Sequence, residues 1–205
     1  MEKEKIDFLG GEFYYDFQSR KNRLMPMEKY LSFLKGKEGL KILEIGSCEG
    51  QSTLWFLKKI LSHPTSTITC VDPHDKRSDT WYNSANNPDR LKTKKITFEL
   101  FKSNILQPYK DKVRYYQKKS WEALSNLKSK FDLIYIDGAH DFCTVYMDGK
   151  LSFPLLKEKG VIMFDDYWEV KDNQVFRAVN LLRRDQVIKR EKVLNRKAVL
   201  ILSRV

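Results

Sequence analysis

Short apolar runs alternate with stretches of helical periodicity along most of the chain. Runs of a few apolar residues predict strands, whereas apolar residues that recur every three or four positions predict helices. Strands that alternate with helices form parallel sheets covered on both faces, so the pattern predicts an α/β fold. The predicted strands are 41–45, 67–71, 113–117, 131–136 and 161–164, and the predicted helices are 52–61, 91–105, 121–127, 142–156 and 174–184.

The N-terminal part of the chain departs from this alternation. Apolar residues recur at helical spacing between Leu24 and Leu34, until Gly36 and Gly39 interrupt the pattern. Residues 1–39 are therefore predicted to form a helical extension that precedes the main domain.

The C-terminal part departs from it in another way. Two strand-like segments, 187–194 and 198–203, flank the polar residues 195–197, a pattern typical of a hairpin. The hairpin adds two strands to the predicted five, so residues 40–205 are predicted to form a mostly parallel seven-stranded sheet with an antiparallel C-terminal strand. The polar segment 73–90 has no clear period and belongs to an insert, 73–112, of the length that often carries function.

A glycine-containing turn follows the first predicted strand. Glu44 lies near the end of the strand, Gly46 and Gly50 allow the backbone to approach a ligand closely, and Ser52 or Thr53 can cap the next helix. The turn lacks the G-x-G-x-x-G spacing of nicotinamide-binding folds, and by itself a purely structural turn explains it equally well.

A carboxylate follows the second predicted strand. Asp72 stands where it can accept hydrogen bonds from two ribose hydroxyls, although a carboxylate that only caps the strand end has the same position. Together, the glycine turn and Asp72 indicate a cofactor that carries a nucleoside and lies across the first two strands.

Further acidic residues follow the fourth and fifth predicted strands. Asp137 ends the fourth strand, Asp165 and Asp166 end the fifth, and His140 lies three residues beyond Asp137. If the two strands are neighbours, the carboxylates converge, and all-oxygen ligation suits Mg²⁺, Ca²⁺ or Mn²⁺. His140 is then a candidate acid–base group. In the structural alternative, one aspartate caps a helix and another pairs with a surface lysine.

The composition limits the function classes. The 205-residue chain is 41% apolar and 32% charged, which excludes collagen-like and wholly disordered proteins. Three cysteines without C-x-x-C spacing argue against a disulfide framework or a zinc ribbon. No apolar run is long enough to span a bilayer, and no signal-peptide core follows the charged N-terminus, so we expect a soluble, cytoplasmic protein. The net charge of +11 makes nucleic acid a candidate partner, although a lysine-rich solvated surface explains the same charge.

The motifs together resemble the class I S-adenosylmethionine-dependent methyltransferases. Within that class the chain is similar to the small O-methyltransferases that include the macrolide-sugar and catechol enzymes. The resemblance runs from about Leu24 to the C-terminus and lies in the segments LMPMEKYLSFL, ILEIGSCEGQSTLWFL, VDPHD, FDLIYIDGAH and GVIMFDDY. It implies a Rossmann-like three-layer sandwich, S-adenosylmethionine as the methyl donor and, in metal-dependent members, Mg²⁺ or another divalent cation.

The resemblance also implies roles for individual residues. Asp137 and His140 would be catalytic, with His140 as the general base, a position where the catechol enzymes carry a lysine. Asp166 matches the sugar-methylating branch, since the catechol enzymes have asparagine there. The metal would be held by Asp137, Asp165 and Asp166, and the cofactor would contact Glu44, Gly46, Ser47, Gly50, Ser52, Asp72, Ser120, Trp121 and Asp137.

Three alternative functions remain open at this level. The charge suggests a nucleic-acid methyltransferase, although the Asn/Asp-Pro-Pro-aromatic motif of base N-methylating enzymes is replaced here by residues 137–140, DGAH. A protein that binds the cofactor without catalysis is a second alternative, and the glycine spacing disfavours the third, a nicotinamide oxidoreductase. The acceptor is an unspecified small-molecule or sugar hydroxyl, the polar insert around Trp81 and Tyr82 would shape its pocket, and homo-oligomerisation stays open.

Overall fold

A single sheet organises the structure, a computed structural model that describes residues 6–13, 27–74, 97–167, 174–185, 188–193 and 200–204. Its seven strands lie in the order β5-β4-β3-β6-β7-β9-β8. These are β3 (Lys41–Ile45), β4 (Thr67–Val71), β5 (Val113–Tyr116), β6 (Phe131–Ile136), β7 (Leu156–Phe164), β8 (Ile188–Val193) and β9 (Leu200–Arg204).

The strand directions confirm the predicted fold class. Strands β5, β4, β3, β6 and β7 pair in parallel, β9 is antiparallel to β7, and β8 is antiparallel to β9. The carboxyl ends of β3, β4 and β6 therefore meet at one edge of the sheet, which is where ligands bind in this class of fold.

Helices cover both faces of the sheet because successive side chains of each strand point to opposite sides. In β3, Ile42 packs into one core cluster, and Leu43 and Ile45 pack into the other. The helices are α1 (Gln51–Lys59), α2 (Ser120–Leu124), α3 (Phe142–Ser152) and α4 (Gln174–Asp185). Residues 27–31 and 97–101 are also helical, and Ser32–Leu34, Lys102–Leu106 and Phe153–Leu155 form short 3₁₀ or π turns.

The N-terminal segment contains a hairpin that the helical prediction for residues 1–39 does not include. Strands β1 (Ile6–Phe8) and β2 (Gly11–Phe13) pair antiparallel, and Phe13 is fully buried. The connecting residues Leu9 and Gly10 both have positive φ, of 52° and 80°. Two-residue hairpin turns with positive φ usually have Asn or Asp in the first position, so the leucine found here does not predict a turn.

Other predicted boundaries are correct or move by a few residues. Strand β7 begins at Leu156, five residues before the predicted start at 161, because the charged residues 157–159 interrupt its apolar pattern. The helix predicted at 142–156 ends at Ser152, because its last predicted residues instead form a 3₁₀ turn and the first residue of β7. Residues 91–96, Trp81, Tyr82 and the turn at 195–197 lie outside the described residues.

None of the helices in the described ranges combines the length and the apolar character that crossing a membrane requires.

Candidate active site

The turn between β3 and α1 approaches the end of β6 too closely for any side chain. Gly46, Cys48 and Gly50 have positive φ values of 87°, 49° and 89°. A Cβ on Gly46 would lie 2.1 Å from the carbonyl oxygen of Asp137, so only glycine fits there. The contact places the glycine turn directly beside Asp137.

Glu44 is fully buried at the end of β3, under the turn. Its Oε2 accepts hydrogen bonds from Thr53 and from the Ser47 hydroxyl (3.1 Å), and the Cys70 thiol lies 3.6 Å away. Burial raises the pKa of Glu44, and the hydroxyls of Ser52, Thr53 and Ser47 oppose the shift. The buried Oε1 has no hydrogen bond of ordinary geometry within the described part of the chain, which suits a ligand with an ammonium donor.

Helix α1 begins without a side-chain cap. Its N-cap is Gly50, so the expectation that Ser52 or Thr53 caps the helix is wrong. The reason is competition for the hydroxyl: Thr53 donates to Glu44 instead, and Ser52 is buried in the first turn of α1. Both residues remain beside the glycine turn, where the sequence predicted a cofactor contact for Ser52.

Asp72 follows β4 and binds backbone groups of its surroundings. Its Oδ2 accepts from the N–H of Cys48 at 2.9 Å, and its Oδ1 accepts from the N–H of His74 at 2.8 Å. The structure thus joins the predicted ribose-binding carboxylate to the glycine turn. Its contact with a ribose stays a prediction.

Ser120 and Trp121 begin α2. Trp121 is 43% exposed, and the ammonium of Lys119 lies 4.9 Å from the centre of its ring. Ser120 lies next to Asp148 of α3, whose pKa is raised to about 7 by burial, an effect that the Ser120 hydroxyl only partly offsets. The roles of Ser120 and Trp121 near an adenine remain predictions.

An acidic cluster with one histidine lies at the ends of β6 and β7. Asp137, His140 and Asp166 each offer one ligand atom, and these atoms lie within 4.8 Å of one another. His140 Nε2 is 3.2 Å from Asp166 Oδ2. The two carboxylates are oxygen ligands of the kind that a divalent cation such as Mg²⁺ prefers, and the imidazole nitrogen beside them can either ligate a cation or accept a proton.

Asp165 does not join that group. Its Oδ2 accepts the hydroxyl of Tyr135 at 2.5 Å, and its Oδ1 accepts the backbone N–H of Asp166 at 2.8 Å. The sequence predicted Asp137, Asp165 and Asp166 as metal ligands, whereas the structure gathers His140 with two of them. Asp165 instead holds the backbone of Asp166, whose φ is 52°.

Sequence reasoning missed three residues at this edge of the sheet. In the sequence pattern, Tyr135 is one residue of a predicted strand, Asp148 is one residue of a predicted helix, and His74 belongs to the polar segment 73–90. Each acts through partners distant in the chain, such as Asp165 for Tyr135 and Tyr115 for His74. Contacts between residues so distant in the chain cannot be predicted from local sequence patterns.

Comparison with known proteins assigns the family. A family model described as "Methyltransferase domain" matches residues 43–167, which is more than half of the chain. An uncharacterised protein of Acanthamoeba polyphaga mimivirus is 28% identical over 185 residues, which cover 88% of this chain and 72% of the relative.

Solved structures share the fold at low sequence identity. A protein from Clostridium thermocellum assigned as an rRNA methylase has a TM-score of 0.61 at 12% identity and covers 89% of this chain and 97% of its own. The O-methyltransferase NovP has a TM-score of 0.61 at 14% identity, with coverage of 89% and 80%. The mycinamycin-pathway methyltransferase MycE, solved with Mg, S-adenosylhomocysteine and mycinamycin VI, has a TM-score of 0.59 at 17% identity, with coverage of 87% and 48%.

The match spans the glycine turn, Asp72 and the acidic cluster. With the sheet order and the orphaned Glu44 oxygen, it leads to one conclusion: the chain belongs to the methyltransferase-domain family and is an S-adenosylmethionine-dependent methyltransferase of the class I fold.

Proposed function

We propose that the protein transfers the methyl group of S-adenosylmethionine to a hydroxyl of a small molecule or sugar, assisted by a divalent cation. The close approach of Gly46 to Asp137 carries the proposal, because it sets the glycine turn beside the cluster of Asp137, His140 and Asp166. The O-methyltransferase NovP and the Mg-bound MycE, both similar in fold, support it.

In this proposal Asp137 and Asp166 hold the cation, and His140 takes the proton. A divalent cation held there would lower the pKa of an acceptor hydroxyl and orient it. The acceptor oxygen forms a bond to the methyl carbon as the carbon–sulfur bond breaks, and His140 Nε2 receives the acceptor's proton. The carboxylate of Asp166, 3.2 Å from that nitrogen, stabilises the imidazolium that results. General-base catalysis of this kind is worth about 10²–10⁴-fold in rate.

The test uses the full chain, labelled S-adenosylmethionine and a panel of phenols, sugars and glycosides, with Mg²⁺ or excess chelator. We expect turnover of at least one hydroxyl compound that the chelator abolishes and Mg²⁺ restores. Asp137→Asn should lower turnover about 100-fold or more, because it removes a charged oxygen ligand. Its affinity for S-adenosylhomocysteine should remain near that of the wild type.

Asp141→Asn is the matched control. Asp141 lies next to His140 and caps α3 by accepting the N–H of Thr144 at 2.9 Å, and asparagine caps helices equally well. Its activity should be unchanged. Full wild-type activity in excess chelator would contradict the metal role, and full activity of Asp137→Asn would contradict the assignment of that carboxylate.

Methylation of RNA is the second candidate function. The net charge of +11 and the fold neighbour assigned as an rRNA methylase favour it. The same labelled assay with total RNA decides between the two. If RNA is the acceptor, the affinity of the protein for RNA should also fall steeply as the salt concentration rises, because binding to phosphates is driven by the release of counterions.

A further inference from the structure

His74 contacts both the glycine turn and the end of β4, and the proposed mechanism does not use it. Its ring Nε2 lies 2.8 Å from the carbonyl oxygen of Cys48, and its ring Nδ1 lies 2.5 Å from the hydroxyl of Tyr115. Its backbone N–H donates to Asp72. The side chain is 2% exposed, so these contacts are shielded from water.

The ring is enclosed by three aromatic side chains. The centres of Phe98, Phe101 and Tyr115 lie 5.2, 5.3 and 5.6 Å from the centre of the imidazole. Phe101 also stands close to where a Cβ on Gly50 would lie, 3.0 Å away. The imidazole is therefore fixed between the glycine turn and the helical segment 97–101.

The contact with Cys48 shows that one of the ring nitrogens must be a hydrogen-bond donor. A carbonyl oxygen only accepts hydrogen bonds, so Nε2 must carry a proton. The single hydroxyl proton of Tyr115 goes either to Nδ1 or to the carbonyl oxygen of Asp72, 2.9 Å away. Burial raises the pKa of Tyr115, so the hydroxyl keeps that proton.

Cys48 is the residue of the turn that most needs such support. Its φ of 49° lies in the left-handed region, which costs free energy for any residue with a Cβ. Asp72 binds its N–H and His74 binds its C=O, so both backbone polar groups of Cys48 have partners after β4. The turn is thus held in one conformation before a ligand arrives.

We propose that His74 is a positioning residue for the cofactor, which fixes the Cys48 peptide so that the turn from Gly46 to Gly50 is preformed to receive S-adenosylmethionine. A preformed turn avoids the entropy cost of ordering on binding. Loss of the His74 contact therefore weakens cofactor binding, while the acidic cluster at the ends of β6 and β7 is untouched. The inference rests on the family assignment and not on the nature of the acceptor.

Calorimetry with S-adenosylhomocysteine tests the proposal on the full chain. His74→Leu, which fills the aromatic enclosure but cannot donate, should raise the Kd about tenfold or more. His74→Gln, whose amide can donate to the Cys48 carbonyl, should restore most of the affinity. The matched control is His63→Gln, since His63 lies in the loop before β4, at the opposite edge of the sheet, and contacts Thr65. This control should bind as the wild type does.

Long-range ¹H–¹⁵N spectra of the wild-type histidines show which ring nitrogen carries the proton, and this measurement needs no variant. The proposal requires a proton on Nε2 of His74, and a neutral ring protonated only on Nδ1 would overturn it.

If His74→Leu does not fold, Tyr115→Phe replaces it, with an expected rise in Kd of about threefold or more. A folded His74→Leu protein with wild-type affinity, or a His74→Gln protein as weak as His74→Leu, also overturns the proposal. Wild-type protein that fails to bind S-adenosylhomocysteine would overturn the cofactor assignment itself.

Discussion

Gly46 is the residue at which the glycine turn and the acidic cluster meet. Its φ of 87° is left-handed, and a Cβ there would collide with the backbone of Asp137 and Gly138. Gly39 has a similar φ of 62°, but a Cβ there would meet nothing within 4 Å. Alanine substitutions at these two glycines therefore distinguish the free-energy cost of the left-handed backbone, which both share, from the cost of a steric collision, which only Gly46 has.

Gly46→Ala should therefore lower the free energy of unfolding well beyond Gly39→Ala. The left-handed conformation alone costs alanine about 1–2 kcal/mol, which is what we expect for Gly39→Ala. Urea unfolding measures the difference, and calorimetry with S-adenosylhomocysteine should show that only Gly46→Ala loses cofactor affinity. Equal stability of the two variants would mean that β3 and β6 separate easily, contrary to the close packing at Asp137.

At the scale of elements, α3 carries a buried carboxyl that the proposed mechanism does not use. Asp148 is 1% exposed, and neither of its oxygens has a hydrogen bond of ordinary geometry within the described ranges. Burial raises its pKa from 3.8 to about 7. Because the folded state holds the proton more tightly than the unfolded state, this group makes stability fall as pH rises from about 4 to about 7.

Asp148→Asn should remove that pH dependence, because an amide does not ionise. The shift of the Asp148 pKa corresponds to about 4 kcal/mol between the ends of that pH range, an upper value. Urea unfolding at pH 4, 5.5, 7 and 8 gives the free energies, and the variant should gain stability relative to the wild type as pH rises. Glu44, whose pKa is also raised, contributes equally to both proteins and cancels in the difference. A constant difference across pH would contradict the burial cost assigned to Asp148.

The elements also show what sequence patterns can and cannot reveal. Strands β3, β4 and β6 have the predicted bounds because each is a short apolar run that ends at a glycine or an aspartate. Hairpin β1–β2 was missed because a Leu–Gly turn lacks the usual signal. Strand ends alone predicted that Asp137, Asp165 and Asp166 converge, and the structure gathers two of these with His140. The hydrogen bond that holds Asp165 on Tyr135 depends on side-chain geometry across two strands, which the sequence pattern does not contain.

At the scale of the whole molecule, the proposed ligand sites stand at the carboxyl ends of neighbouring parallel strands. Ligands that bind only the folded state stabilise it by mass action, by about 2.7 kcal/mol at 100 times the Kd. For a chain of this size that gain raises the Tm by about 5–10 °C. Thermal unfolding therefore reports the cofactor site and the cation site separately, without knowledge of the acceptor.

S-adenosylhomocysteine should raise the Tm of the wild type and of Asp166→Gly alike, because Asp166 lies in the cation cluster and not in the glycine turn. Mg²⁺ added to the cofactor-bound protein should raise the Tm further in the wild type and not in Asp166→Gly, which lacks both carboxylate oxygens. Glycine suits this position, because it tolerates the left-handed φ of 52°. Asp141→Asn, measured alongside, should respond to both ligands as the wild type does. An undiminished Mg²⁺ response in Asp166→Gly would contradict the proposal that Asp137 and Asp166 hold the cation, without affecting the assignment of the cofactor site.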